Sequence, residues 1–293
     1  MREETKGVLA MLLACTIWGL SALYYRSIAQ VPPLEVLSHR TIWSAVFIGI
    51  ILVIRGRMEW LNWRAVIRVG IAALMVSINW FFFIYAVQVG KVAQSSLGYY
   101  IFPLVAVMLG AVFLGEKLKP AQWFAVGLAT VAVLLLSIGV GEIPYISLIL
   151  AGTFGLYGLI KKPLTIGPMR SVFWEVMLLA PLALIWLFGA HMFDWQGVAG
   201  RSGGYFGSSV GISGLLILSG VLTGFPLILM AYAMERLKLA TVGLVQYINP
   251  TLQFLLATMV FMEPFSRTHM MAFALIWTGL AIYSYNALRQ DKA

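Results

Sequence analysis

Few side chains in this 293-residue sequence can do chemistry, and those that can sit in apolar surroundings. Arg40 and Glu175 each lie within a long apolar run, and His39 stands beside Arg40. A charge held in hydrocarbon costs at least roughly 2.5 kcal/mol on insertion scales, so it marks a pathway or a partner. Such residues can close a gate, and Glu175 is an acid that can carry a proton. The competing reading for both is snorkelling towards the nearer headgroups. His39 can titrate near neutrality, or can serve as a hydrogen-bonded packing residue. Paired carboxylates, a His-x-x-x-His pair and a Gly-Lys-Ser/Thr phosphate loop are all absent from the sequence, so no enzyme and no ATP-driven mechanism is expected. A single cysteine, Cys15, excludes an intramolecular disulfide and a thiolate metal cluster; it reads as a buried small hydrophobe. No cofactor and no metal are expected.

Polar groups at mid-helix depth form a second set. Pro103 and Pro250 each remove a backbone donor and free the carbonyl one turn earlier, that of Tyr99 and of Gln246. Free backbone at membrane depth persists only against protein or a wet cavity. Tyr99, Tyr100, Pro103, Gln246, Tyr247, Asn249 and Pro250 are therefore expected to line a central cavity, the alternative being helix bends that serve packing. Asn79 cannot face lipid cheaply; it either binds a solute or ties two helices together. Trp18 lies away from the interfacial belts where tryptophan collects, and reads as cavity wall or as core.

The elements that must position these residues follow from composition. Hydrophobic residues make up 61% of the chain, charged residues 11%, and the mean hydropathy is +0.92. Soluble domains carry roughly 25% charge, so most of this surface faces lipid. Apolar runs of about 20 residues without alternation indicate helices rather than barrel strands. Ten spans are expected, near 7–29, 34–54, 69–89, 95–114, 121–140, 143–160, 171–190, 211–234, 240–262 and 268–288. With the termini inside, fifteen of the twenty Lys and Arg fall on inner segments and three (Lys91, Arg201, Arg267) on outer loops. That bias predicts cytoplasmic termini. The net charge of +9 is scattered over short loops, which argues against nucleic acid as a partner.

The chain also repeats itself at an offset of 147 residues. Over 85–137, thirteen of 53 positions are identical, among them Tyr85-Ala86 with Tyr232-Ala233, Lys91 with Lys238, Pro103 with Pro250 and Glu116 with Glu263. A unit of five spans is odd in number, so the second copy enters the membrane in the opposite sense. The expected fold is an all-α integral membrane protein whose two five-helix repeats, 1–140 and 141–293, are inverted relative to each other. Inverted repeats are a recurrent carrier architecture with a binding site at the interface between repeats. By that inversion Arg40 belongs to the outer third and Glu175 to the inner third, each stabilising one closed gate rather than pairing with the other.

Two halves that each carry Tyr-Ile-x-Pro, an apolar stretch and then Glu resemble the EamA repeat of the drug/metabolite transporter superfamily. Leu37-Ser38-His39-Arg40, Asn79-Trp80 and Tyr247-Ile248-Asn249-Pro250 are similar to its RarD branch. The resemblance implies a ten-helix fold, a bacterial inner (plasma) membrane location and carriage of small metabolites or drugs. The first half departs from the pattern, with Phe102 where the branch has Asn before Pro. The expected function is secondary transport of a small amphipathic solute by alternating access. An uncoupled facilitator and a non-transporting accessory protein are the alternatives. The expected partners are that solute and the lipid bilayer, and a homodimer is an allowed assembly.

Overall fold

The computed structural model describes residues 3–115, 120–162, 164–198, 200–237 and 239–290. Its helices are α1 (Glu3–Ser27), α2 (Pro33–Ile54), α3 (Trp63–Gln88), α4 (Val92–Leu114), α5 (Pro120–Val140), α6 (Tyr145–Lys161), α7 (Pro168–Met192), α8 (Val210–Met234), α9 (Leu239–Gln246), α10 (Ile248–Leu255) and α11 (Arg267–Gln290). A single π-helical turn, Leu256–Val260, continues α10. Glu116 and Lys238, matched above to Glu263 and Lys91, lie outside the described residues.

Each expected span coincides with a helical segment, and seven of them (α1 to α5, α7 and α8) are long and apolar enough to cross a membrane. The other three fall short for separate reasons. Helix α6 has 17 residues. The ninth segment is broken at Tyr247 between α9 and α10. In α11 the length suffices, but Thr278, Tyr283, Ser284 and Tyr285 dilute the apolar run. Large apolar side chains stand exposed along the helices, Ile54 at 79% and Ile138 at 83% among them. A monomer in water does not keep such a belt; lipid covers it.

Local chemistry sets the helix ends. Pro32 and Pro33 open α2. The Asn62 side chain accepts from the Ala65 N–H at the start of α3, and Ser209 accepts from Ile212 at the start of α8. Helix α4 ends on Gly115 in the left-handed conformation, φ 67°. Its repeat equivalent, 147 residues on, is Met262, which adopts φ 52° without glycine's freedom.

Glycines let the helices approach. A Cβ on Gly220 would strike the Trp43 backbone, and one on Gly224 would lie 2.5 Å from the Phe47 ring, so α8 seats directly on α2. Gly98 brings α4 against the Ser147 carbonyl of α6, and Gly19 brings α1 against Leu252 of α10. The main packing partners are α4 with α6, α1 with α9 and α10, α3 with α6, α1 with α8, α2 with α8, α3 with α7, α2 with α7, α4 with α10, and α5 with α11.

Candidate functional site

The first cluster forms where α1, α2, α3 and α4 converge. Arg40 is 6% exposed, and its Nη1 donates to the Tyr25 hydroxyl at 2.9 Å. The Trp80 ring covers the guanidinium at 4.0 Å and the Tyr25 ring lies 5.9 Å away. Cation–π contact of this kind stabilises a desolvated cation by roughly 2 kcal/mol. No carboxylate pairs with Arg40 among the described residues, and its Nε has no hydrogen-bond partner there. Phe83 meets Tyr25 edge-on at 5.6 Å and Tyr99 at 6.0 Å, which completes an aromatic wall.

Asn79 sits at the edge of this wall, fully buried. Its Nδ2 donates to the Leu150 carbonyl at 2.8 Å and to Thr153 Oγ1 at 3.1 Å, and its Oδ1 accepts from the Tyr99 hydroxyl at 2.9 Å. Of the two readings open for Asn79, the structure brings it into a tie between α3, α6 and α4. His39 stacks on Phe206 with centroids 4.7 Å apart, and its Nε2 has no partner among the described residues.

The second cluster lies between α4 and α10, where the two Tyr-Ile-x-Pro motifs meet. Tyr100 and Tyr247 stack at 6.4 Å, and the Tyr100 hydroxyl shares a 2.6 Å hydrogen bond with Thr251 Oγ1. Ser96 donates to the Pro250 carbonyl, Ser95 to Gln253 Oε1, and Gln253 Nε2 to Asn249 Oδ1. Helix α4 runs unbroken through Pro103, whereas the second copy breaks at Tyr247, three residues ahead of Pro250. The Tyr247 carbonyl at that break accepts from the Thr251 N–H and hydroxyl. Gln246 points its Nε2 at Met230 Sδ of α8, 3.9 Å away. Trp18 is half-buried on α1, and no ring contact joins it to either cluster among the described residues.

Glu175 has its own partners. Fully buried on α7, it accepts from Lys161 Nζ at 2.7 Å, from the Tyr157 hydroxyl at 3.1 Å and from Ser171 Oγ at 2.9 Å. Among the described residues its ion-pair partner is Lys161, not Arg40.

Polar contacts fasten one end of the bundle. Glu263 accepts from the backbone N–H groups of Val92 and Ala93 at the start of α4. Burial lifts the Glu263 carboxyl above its ordinary value, against the opposing pull of those N–H groups and of Arg26. Glu35 accepts from the N–H groups of Gly204, Tyr205 and Phe206. Arg201 donates to the Ala29 carbonyl and to Gln88. At the opposite end, Arg170 pairs with Glu59, and Trp174 donates to the Glu59 carbonyl. A cleft of about 420 Å³ opens there, lined by Trp60, Arg64, Arg68 and Arg170 among others.

Sequence reasoning missed Tyr25, Trp80, Tyr157, Lys161 and Glu35 as site residues. The spacing of Tyr157 and Lys161, four apart on α6, puts them on one face. Glu35 could have been found as an acid just inside an apolar run.

Comparison with known proteins agrees with this architecture. Residues 5–138 match the EamA-like transporter family. The chain is 38% identical over 300 residues to the uncharacterized transporter YojE of Bacillus subtilis, covering 99% of this chain and 97% of that one. It is 36% identical over 297 residues to protein RarD of Escherichia coli, covering 99% and 98%. An uncharacterized transporter of Vibrio cholerae is 36% identical over 310 residues, covering 100% and 96%. One crystal structure of a protein has a TM-score of 0.62 to this chain at 20% identity, covering 95% of this chain and 97% of that chain, which bears on fold alone. The chain therefore belongs to the EamA-like transporter family, in its RarD-like group.

Proposed function

We propose that the chain is a secondary carrier of a small amphipathic solute, working by alternating access between two inverted five-helix halves, 1–140 and 141–293. The observation that carries this reading is the set of helix neighbours. Exchanging α1 with α6, α2 with α7, α3 with α8, α4 with α9–α10 and α5 with α11 turns most of these packing pairs into one another. Thus α4 with α6 becomes α9–α10 with α1, and α3 with α6 becomes α8 with α1. The stacked pair Tyr100 and Tyr247 are repeat mates, and so are the left-handed Gly115 and Met262. The halves nonetheless differ, α4 being continuous and α9–α10 broken. Two like halves in unlike conformations are what alternation requires, since exchanging the conformations moves the opening to the other side.

The solute path in this reading runs past the aromatic wall around Arg40, Trp80 and Tyr99, with Tyr100, Tyr247 and Asn249 at the seam between halves. The termini are cytoplasmic and the membrane is the bacterial inner membrane. An uncoupled facilitator is favoured by one observation: the charge of Glu175 is already matched within the protein by Lys161. Proteoliposome flux with and without a pH gradient decides the coupling, and absence of saturable flux for a broad solute panel removes the carrier reading. Single cysteines placed at Lys91 and Lys238 test the inversion. Labelling from opposite sides supports it, and labelling from the same side ends it.

A further inference from the structure

We propose that Arg40 is the recognition point for the carboxylate of an anionic, aromatic solute. This rests on the carrier reading above and gives that site its substrate class.

The geometry around the guanidinium is specific about what is missing. Tyr25 takes Nη1, and Trp80 covers the face. What remains is the edge formed by Nε and Nη2, whose parallel N–H groups match the two oxygens of a carboxylate. No described residue supplies that acceptor: Nε is buried without a partner. A buried cation left in this state is expensive. Of the five buried side-chain polar atoms without partners among the described residues, four belong to α2: His39 Nε2, Arg40 Nε, Trp43 Nε1 and Ser44 Oγ. His39 stacks on Phe206 and Trp43 lies beside the same ring, whereas Arg40 faces Tyr25 and Trp80. The unmet Nε of Arg40 is therefore the one that points to a ligand at this site.

The second half shows what a completed pair looks like. Glu175 stands seven residues into α7, as Arg40 stands seven residues into α2. There the acid is met within the half by a cation and a phenol, Lys161 and Tyr157. Arg40 is met by a phenol alone, Tyr25. The acid absent from the first half is the one the solute brings. The rings of Tyr25, Trp80, Phe83 and Tyr99 pack around Arg40, so a solute reaching the guanidinium meets aromatic surface, which favours a flat apolar body attached to that acid.

The test is a melting-point comparison on the purified full chain in nanodiscs. The probes are benzoate, indole-3-acetate and 4-hydroxyphenylacetate, each set against its neutral amide. Carboxylates are expected to raise the melting point, and the amides to bind at least about 10-fold more weakly. In Arg40→Gln that preference disappears. In Arg40→Lys the preference for charge survives with affinity lowered about 10-fold, because an ammonium cannot make the two-point contact. Equal binding of acids and amides by the unaltered protein overturns the assignment, as does failure of every carboxylate to bind; neither result depends on a variant folding. Carboxylate-selective binding without flux in proteoliposomes would retain this site and remove the carrier reading. Saturable flux of neutral solutes without carboxylate preference would do the reverse.

Discussion

Tyr100 and Tyr247 lie ring upon ring, their centroids 6.4 Å apart and their planes 21° from parallel, although 147 residues separate them in the chain. Tyr100 also bonds Thr251 through its hydroxyl and meets Phe273 and Trp277 edge-on. The contact joins α4 to the break between α9 and α10, so it bears on both the stability and the motion of the seam. Tyr100→Phe should lower stability by about 1 kcal/mol through the lost hydrogen bond. A double-mutant cycle of Tyr100→Leu with Tyr247→Leu should give a coupling of roughly 0.5–1.5 kcal/mol. Thermal unfolding in detergent reads both, and a coupling near zero would show that the rings are merely adjacent.

Asn79 makes three hydrogen bonds to two other helices while fully buried. Asn79→Ala removes the ties to Leu150 and Thr153 on α6 and takes the acceptor from the Tyr99 hydroxyl. The expected loss is about 1–3 kcal/mol, seen as a lower melting point. If the loss of transport in this variant is not accompanied by a loss of stability, Asn79 contacts solute rather than holding α3, α4 and α6 together.

Glu175 and Lys161 are a pair whose two single removals are unequal to their joint removal. Glu175→Gln leaves Lys161, 21% exposed at its side chain, without its anion. Breaking a buried pair typically costs about 3–5 kcal/mol; the partial exposure of Lys161 should reduce this to roughly 1–2 kcal/mol. The double variant Glu175→Gln with Lys161→Met should recover most of that loss in the same melting assay. Failure to recover would mean that the carboxylate does something beyond neutralising the lysine.

Met262 occupies a left-handed conformation, φ 52°, with its side chain 75% exposed. Met262→Gly removes the Cβ clash at a position where little packing is at stake. It should raise stability by about 1 kcal/mol. The reciprocal change, Gly115→Met, should lower it by a similar amount.

The Glu263 contact with α4 should respond to acid in the opposite sense to an ordinary ion pair. Burial raises the carboxyl above its ordinary 4.5, against the N–H groups of Ala93 and Val92 and the charge of Arg26. When the contact opens, the group returns towards that ordinary value. The closed form thus binds the proton more tightly, and lowering the pH through the window above 4.5 favours closure. Maleimide labelling of a cysteine at Ala93, buried beside the latch, should slow on acidification. Loss of thiolate slows maleimide in every variant, so the reading is the ratio of rates: labelling should slow more steeply with acid than it does in Glu263→Gln, and equal slopes would place the dependence elsewhere.

Much of this was legible in the sequence because membrane helices are written in long apolar runs and charges within them are few. Arg40, Glu175 and Asn79 were recognisable as residues that need partners, since hydrocarbon offers none. Which partners they take was not legible. Tyr25 and Tyr157 satisfy buried charges through phenols, and a tyrosine in an apolar run looks the same whether its hydroxyl is used or idle. The break at Tyr247 falls in the turn ahead of Pro250, where a proline acts, but that this proline would break its helix was not legible, because the neighbouring helices decide how a bend is accommodated. The proline in α4 produces no break at all, which shows how far packing against α6 and α10 outweighs the local signal. The anchoring of the 204–206 backbone by Glu35 was hidden for another reason: the backbone of a distant loop leaves no trace in side-chain patterns.

The two Tyr-Ile-x-Pro motifs differ at one position, Phe102 against Asn249, and they differ in shape, straight against bent. In the proposed carrier, two halves of like fold have no favourite side by symmetry alone, so the idle posture follows from the differences between them. Here that imbalance is inscribed in the chain itself. If the proposed alternation holds, exchanging the two residues between the halves should reset which face of the membrane the empty protein greets first.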